Sequence, residues 1–166
     1  ALLTAERTAL NFLQLLSAVA TKTSVFVDIV AKVPGARARI VDTRKTLPGL
    51  RMAQKYAVLQ GGGSNHRIGL FDAVLIKENH IAAAGGIASV LQQTAAVAPA
   101  ADFVEIEVES IEELEQALQA GAAMILLDNF SLEDMRVAVE RTAGRSVLEV
   151  SGGVSLETVA AIAAIG

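Results

Sequence analysis

Read for the spacing of its apolar positions, the chain falls into two unequal parts. Leu10, Leu13 and Leu16, then Val19 or Ala20, recur at intervals of three and four, the stripe of an amphipathic helix, with Thr4 as its cap and Glu6 at the positive end of its dipole. A second helical pattern at 25–32 ends near Pro34-Gly35. From residue 36 the period changes. Short apolar runs at 39–42, 73–77, 103–108, 124–128 and 147–151 read as five buried strands, separated by helical patterns at 49–59, 86–98, 111–120, 132–143 and 156–162. Ser110 with Glu113 predicts a capping box, Ser131 with Asp134 a close variant, and Gly121 a residue just past a helix C-terminus. Strands alternating with helices predict an α/β fold with parallel strands and right-handed crossovers.

Composition narrows the class. At 166 residues and 52% hydrophobic the chain can bury a core of its own, and 13 glycines with 4% aromatics suit short helices packed closely on a sheet. A net charge of −4 and the lack of a basic stripe argue against a nucleic-acid surface. The absence of cysteine removes disulfides and thiolate metal sites and fits a reducing compartment, so a cytoplasmic location is expected. No membrane association is expected either: the apolar runs at 10–20 and 81–90 read as too short or too interrupted to span a bilayer, and no export signal is evident.

Candidate chemistry collects at the predicted strand ends, which form the active face of β/α folds. Those ends carry Asp42-Thr43-Arg44-Lys45, Lys77-Glu78-Asn79-His80, Glu107-Val108-Glu109, Asp128-Asn129 and Glu149-Val150-Ser151-Gly152-Gly153, and they are expected to converge on one pocket. Arg44, Lys45, Arg67 and Lys77 suit a polyanionic ligand, the alternative being ion pairs with the neighbouring acids. Glu107 and Asp128 could hold Mg²⁺ alongside substrate phosphates, stabilise positive charge on a sugar, or simply neutralise Lys45 and Lys77. Ser151-Gly152-Gly153, leading toward a helix start at 156, is the best phosphate-binding candidate, because such a turn presents backbone N–H groups. Gly61-Gly62-Gly63 matches neither a P-loop nor a dinucleotide fingerprint and reads as an ordinary loop or an anion cradle. His66 beside Arg67 adds a titratable donor. With two histidines and no cysteine, a transition-metal site is not expected. Arg7, in the first turn of its predicted helix, opposes the helix dipole and calls for a partner, whether Glu6, solvent or something else.

The segments Thr4-Ala-Glu-Arg-Thr-Ala-Leu-Asn11, Asp42-Thr-Arg-Lys-Thr-Leu-Pro-Gly-Leu-Arg51, Lys55-Tyr-Ala with Gly61-Gly-Gly-Ser-Asn-His-Arg67, Leu75-Ile-Lys-Glu-Asn-His80, Val104-Glu-Ile-Glu-Val108, Ile125-Leu-Leu-Asp-Asn-Phe130 and Leu148-Glu-Val-Ser-Gly-Gly153 together resemble the quinolinate phosphoribosyltransferase family, across essentially the whole chain. The resemblance implies transfer of phosphoribose from phosphoribosyl pyrophosphate to quinolinate with decarboxylation, giving nicotinate mononucleotide, pyrophosphate and CO₂ in NAD biosynthesis. It implies that Arg44, His66, Arg67 and Lys77 bind the quinolinate carboxylates, and that Arg7 is supplied by the other subunit of a homodimer or larger assembly. Lys45 and Lys77 would face phosphoribosyl pyrophosphate, Glu107 and Asp128 its ribose and Mg²⁺, directly or through water, and Ser151, Gly152 and Gly153 its 5′-phosphate. Lys45, Lys77, Glu107 and Asp128 are thus the expected catalytic residues. Asp42 and Arg51 are left to local structure.

The family implies a parallel β/α barrel, of which five strands are expected here. Residues 1–35 would be a helical segment linking to an N-terminal domain absent from this chain, and 36–166 a partial catalytic barrel shortened at its C-terminal end, inactive alone. The rival readings are a homologue of altered specificity, such as the molybdate-transport-associated relative or a nicotinate-type transferase, and a non-catalytic binding domain.

Overall fold

The structure, a computed structural model, describes residues 2–96 and 98–166. Ala1 and Val97, which fall in the predicted segments 1–35 and 86–98, lie outside the described residues. The chain divides into two compact units, Ala1–Ile68 and Gly69–Gly166.

In the first unit, helix α1 (Leu2–Ala31) packs on helix α2 (Arg51–Gln60). Sequence predicted two helices here, interrupted around Thr21-Lys22-Thr23-Ser24. The helix instead runs through, because Thr23 Oγ1 donates to the Val19 carbonyl at 2.9 Å and Ser24 Oγ to that of Thr21 at 2.9 Å, so the hydroxyls are satisfied inside the helix. Thr4 therefore lies within α1 and does not cap it, and Arg7 stands beyond its first turn, exposed. Continuity also corrects the reading of the apolar run at 10–20 as too short: at 30 residues, with mean hydropathy 1.4 over its most apolar window, α1 matches a bilayer span in length and composition, a match that the core helix of a globular protein also makes.

The predicted strand at 39–42 does not form. Val41 makes one parallel bridge to Ser64, and no neighbouring strand among the described residues of its unit extends the ladder.

The second unit holds a parallel sheet of four strands in the order β1 (Val74–Ile76), β2 (Val104–Val108), β3 (Met124–Asp128), β4 (Val147–Ser151). Helices α3 (Glu78–Ala84) and α4 (Ile87–Thr94) follow β1, α5 (Ile111–Gln119) follows β2, α6 (Leu132–Thr142) follows β3, and α7 (Val159–Ala163) follows β4. Helix α3 was not predicted, since Lys77-Glu78-Asn79-His80 read as a strand end. Gly121, at φ 78°, ends α5 as expected. Glu113 departs from the predicted capping box: its N–H donates to Ser110 Oγ at 3.2 Å, but its carboxylate accepts from the Glu109 N–H at 2.8 Å rather than from Ser110.

Strand register sorts the side chains onto two faces. Ile76, Ile106, Val108, Ile125 and Leu127 share one face and are buried with Ile87, Leu114, Ala117, Met135 and Ala138 of the helices. The other face carries Leu75, Glu105, Glu107, Met124, Leu126, Asp128, Glu149 and Ser151. An unusual density of carboxylates thus lies on the face turned away from the helices.

Candidate active site

The predicted site residues divide between the two units. In the first, Asp42, Arg44 and Lys45 follow the Val41–Ser64 bridge, and His66 and Arg67 follow the other side of it. Helix α2 joins the two stretches. Arg51, at its start, donates from Nε to Thr46 Oγ1 at 3.3 Å, from Nη2 to the Arg44 carbonyl at 3.4 Å and from Nη1 to the Ile68 carbonyl at 3.2 Å. One turn later, buried Lys55 forms an ion pair with Asp42 and donates to the His66 carbonyl at 2.9 Å, while the His66 N–H donates to Asp42 Oδ1 at 2.9 Å. Neither Arg51 nor Lys55 was singled out from sequence as a functional residue. Beyond their place in the motifs that carry the family resemblance, their signal is the i, i+4 spacing of two cations on a helix beside the basic stretch.

Arg44 is half-buried, and its Nε is buried without a hydrogen-bond partner among the described residues. Lys45 is exposed and makes no ion pair among the described residues; its backbone N–H is held by Thr43 Oγ1 at 3.0 Å. Neutralisation by a carboxylate therefore does not account for these two cations.

The glycine run is a packing device rather than an anion cradle. A Cβ on Gly61 would lie 2.4 Å from the Ala20 carbonyl oxygen, and one on Gly63 would lie 2.9 Å from Thr23 Cγ2, so glycine lets this loop sit against α1. The N–H groups of Gly61, Gly62, Gly63 and Ser64 already donate to Ala57, Leu59, Val58 and Ile40 carbonyls. None remains to bind an anion.

In the second unit, Lys77 Nζ lies 2.5 Å from Glu107 Oε2, so for this cation the ion-pair reading holds. His80 Nδ1 accepts the Lys77 backbone N–H at 2.9 Å, which caps α3 and fixes the residue whose ammonium reaches Glu107. Glu107 groups with Glu78 and Glu109, their carboxylate oxygens lying within 4.8 Å of one another. These three acids, with Glu113, border a cavity of about 230 Å³. Asp128 stands outside that group, and its Oδ2 accepts from Asn129 Nδ2 at 2.8 Å. Glu105, fully buried on the same face, was passed over in sequence although the alternation of Val104-Glu105-Ile106-Glu107-Val108 places it beside Glu107's row.

Ser151 ends β4, pairing with Asp128, and Gly152 and Gly153 turn at φ 82° and 64°. The predicted helix start at 156 moves to Val159, so α7 has five residues, and its N-cap Thr158 donates from Oγ1 to the Gly153 carbonyl at 3.1 Å. The turn itself borders a second cavity of about 180 Å³ with Asn129, Phe130 and Thr158.

Comparison with known proteins places these arrangements. The model of a family described as quinolinate phosphoribosyl transferase, C-terminal domain, matches residues 19–166. The nicotinate-nucleotide pyrophosphorylase (carboxylating) of Mycobacterium leprae is 50% identical over 168 residues, covering 99% of this chain and 58% of that protein. A probable nicotinate-nucleotide pyrophosphorylase (carboxylating) of Bacillus subtilis is 42% identical, covering 100% of this chain and 56% of the relative. The solved nicotinate-nucleotide pyrophosphorylase of Francisella tularensis superposes with a TM-score of 0.92 at 51% identity, covering 99% of this chain and 57% of that one. The chain thus spans a little over half the length of these relatives.

Proposed function

The chain belongs to the quinolinate phosphoribosyl transferase family, and on that premise we propose that the whole protein transfers phosphoribose from phosphoribosyl pyrophosphate to quinolinate and releases CO₂. The match of the family's C-terminal domain across residues 19–166 carries this reading. Arg44 adds local support: a buried guanidinium N–H without a protein acceptor suits an anion.

Under this reading Arg44, His66 and Arg67, with Lys77, bind the two carboxylates of the pyridine acid, and Lys45 and the Ser151-Gly152-Gly153 turn bind phosphoryl groups. Fixed cations hold the pyridine nitrogen against the ribose C1 atom, where the new C–N bond forms as the C–O bond to pyrophosphate breaks. Once the ring nitrogen carries the sugar, its positive charge stabilises the electron pair left on the adjacent ring carbon when that carbon's carboxylate leaves as CO₂, and a proton from solvent then takes up that pair. Neither step requires a protein nucleophile. Asp128 and Glu107 stabilise positive charge developing on the ribose.

Mg²⁺ is the proposed cofactor. Carboxylate oxygens of Glu78, Glu107 and Glu109 within 4.8 Å of one another are the donor chemistry a hard cation takes, and Glu107 and Asp128 would hold it directly or through water. When bound it neutralises charge on the departing pyrophosphate.

We further propose a homodimer or larger assembly in which Arg7 reaches the neighbouring subunit's site. Arg7 makes no ion pair among the described residues, and the exposed Leu3, Leu10, Phe12 and Leu13 of α1 give the apolar area an interface requires. A cytoplasmic location, where these metabolites are used, belongs to the same proposal. Neither nucleic acid nor membrane is among its partners.

The test is turnover by the full-length protein with quinolinate and phosphoribosyl pyrophosphate, following CO₂ and nicotinate mononucleotide. Nicotinate consumed without CO₂ release, or no turnover of either acid, would overturn the proposal. Arg67→Ala should raise the quinolinate KM by about 100-fold, the scale of losing a charge-assisted contact, with the KM for phosphoribosyl pyrophosphate little changed. An equal rise for both substrates would remove Arg67 from the carboxylate site.

A further inference from the structure

We infer that the buried Asp42–Lys55 pair is a positioning device that sets where the His66-Arg67 segment stands relative to Arg44, and so governs recognition of the dicarboxylate. The inference rests on the proposed role of Arg44, His66 and Arg67 in binding quinolinate.

Lys55 and Asp42 side chains are 2% and 7% exposed, so the pair is shielded from solvent and from salt. Burying two charges is costly, and a pair serving stability alone is often replaced by apolar residues without loss. What distinguishes this pair is where its remaining hydrogen bonds go. Both main-chain groups of His66 are held by it, the N–H by Asp42 Oδ1 and the carbonyl by Lys55 Nζ, each at 2.9 Å. Asn65 Nδ2 in turn donates to the Lys55 carbonyl at 3.3 Å, tying the residue before His66 to the same turn of α2.

The other stretch is anchored to the same helix. Arg51, four residues before Lys55, holds the Arg44 carbonyl and the Ile68 carbonyl, while Asp42 lies two residues before Arg44. One rigid turn of α2 therefore fixes the backbone on both sides of the Val41–Ser64 bridge. Arg44 is held through Arg51, and His66 through Lys55. Two carboxylates at fixed separation on a flat ring demand cations at fixed separation, and misplacement by about 1 Å costs on the order of 100-fold in a well-aligned site. Asp42 and Lys55 themselves need never touch the substrate.

The test uses full-length Asp42→Asn, Lys55→Met and the double variant. Each single change strands a buried charge and should lower thermal stability. The double variant removes both charges and should recover much of it. If the pair positions the segment, the double variant keeps a quinolinate KM raised by at least about tenfold, the loss expected for misaligned charge-assisted bonds, with the KM for phosphoribosyl pyrophosphate within about twofold of the parent. Return of the quinolinate KM to the parent value along with stability, or an equal rise for both substrates, would overturn the inference. So would a double variant that does not fold, because the pair would then be required by the fold itself. Amide hydrogen exchange gives a readout independent of turnover: residues 64–68 should exchange faster in the double variant while α5 and α6 keep their protection. Unchanged exchange at 64–68 refutes the clamp. A parent protein that releases no CO₂ from quinolinate refutes the proposed reaction instead.

Discussion

Gly152 turns at φ 82°, and a Cβ there would lie 2.1 Å from Asn129 Oδ1 and 2.9 Å from the Asn129 backbone nitrogen. Asn129 itself has φ 57°, and its N–H is held by the Ser151 carbonyl at 2.9 Å, so it cannot simply retreat. Gly152→Ala should cost about 1–3 kcal/mol of stability, the range for a strained backbone position, and raise the KM for phosphoribosyl pyrophosphate. An unchanged melting temperature would show that the turn yields. A milder effect belongs to Glu157, whose carboxyl titrates below the usual glutamate value because Ser155 Oγ donates to it at 2.6 Å, helped by its own backbone N–H. A lowered folded-state value means the contact stabilises above the ordinary glutamate value and loses that contribution as pH falls through the lowered one. Full exposure keeps the effect small. Ser155→Ala should move the Glu157 titration upward when followed by NMR; no movement would assign the shift elsewhere.

Steric fit decides matters between elements. Gly61 has φ −80°, which any residue adopts, yet a Cβ would meet the Ala20 oxygen at 2.4 Å and Thr23 Cβ at 2.7 Å. Gly61→Ala should therefore force α1 from α2 and cost about 1–3 kcal/mol by overpacking, read as a lower denaturation midpoint. At Ser131 the hydroxyl accepts the Asp134 N–H at 3.1 Å and donates to its carboxylate at 2.6 Å, so Ser131→Ala should cost about 1 kcal/mol in the same assay. Boundaries of β3 and β4 were legible because short, largely apolar runs end abruptly at polar residues or glycine. The stretch 39–42 misled because Ile40 and Val41 favour strands locally, whereas a strand also needs a partner, and Ser64 supplies one bridge. Helix α3 escaped because its start depends on His80 reaching back to Lys77, a bond that residue types alone do not announce.

At the scale of the molecule, the proposed sharing of Arg7 between subunits has a direct consequence. Arg7→Ala and Lys77→Ala should each be nearly inactive as pure assemblies of the full-length protein. Equal mixing, after subunit exchange, should restore about a quarter of the parent activity, since half of randomly formed dimers are mixed and each carries one intact site. No recovery on mixing would confine Arg7 to its own subunit.

The sequence by itself determined the β/α alternation, the parallel sheet, the family and the residues proposed to meet substrate, because buried periodicity, caps and contiguous motifs are local signals. Tertiary structure alone decided which of those residues are held, and by what. Asp42 and Arg51, left by sequence to local structure, meet Lys55 and Ile68 only after the chain has doubled back through α2, and Glu107 comes level with Leu126 of the next strand only through strand register. The glycine run likewise became a packing surface for α1, because the cost of a Cβ depends on a helix some 40 residues earlier in the chain.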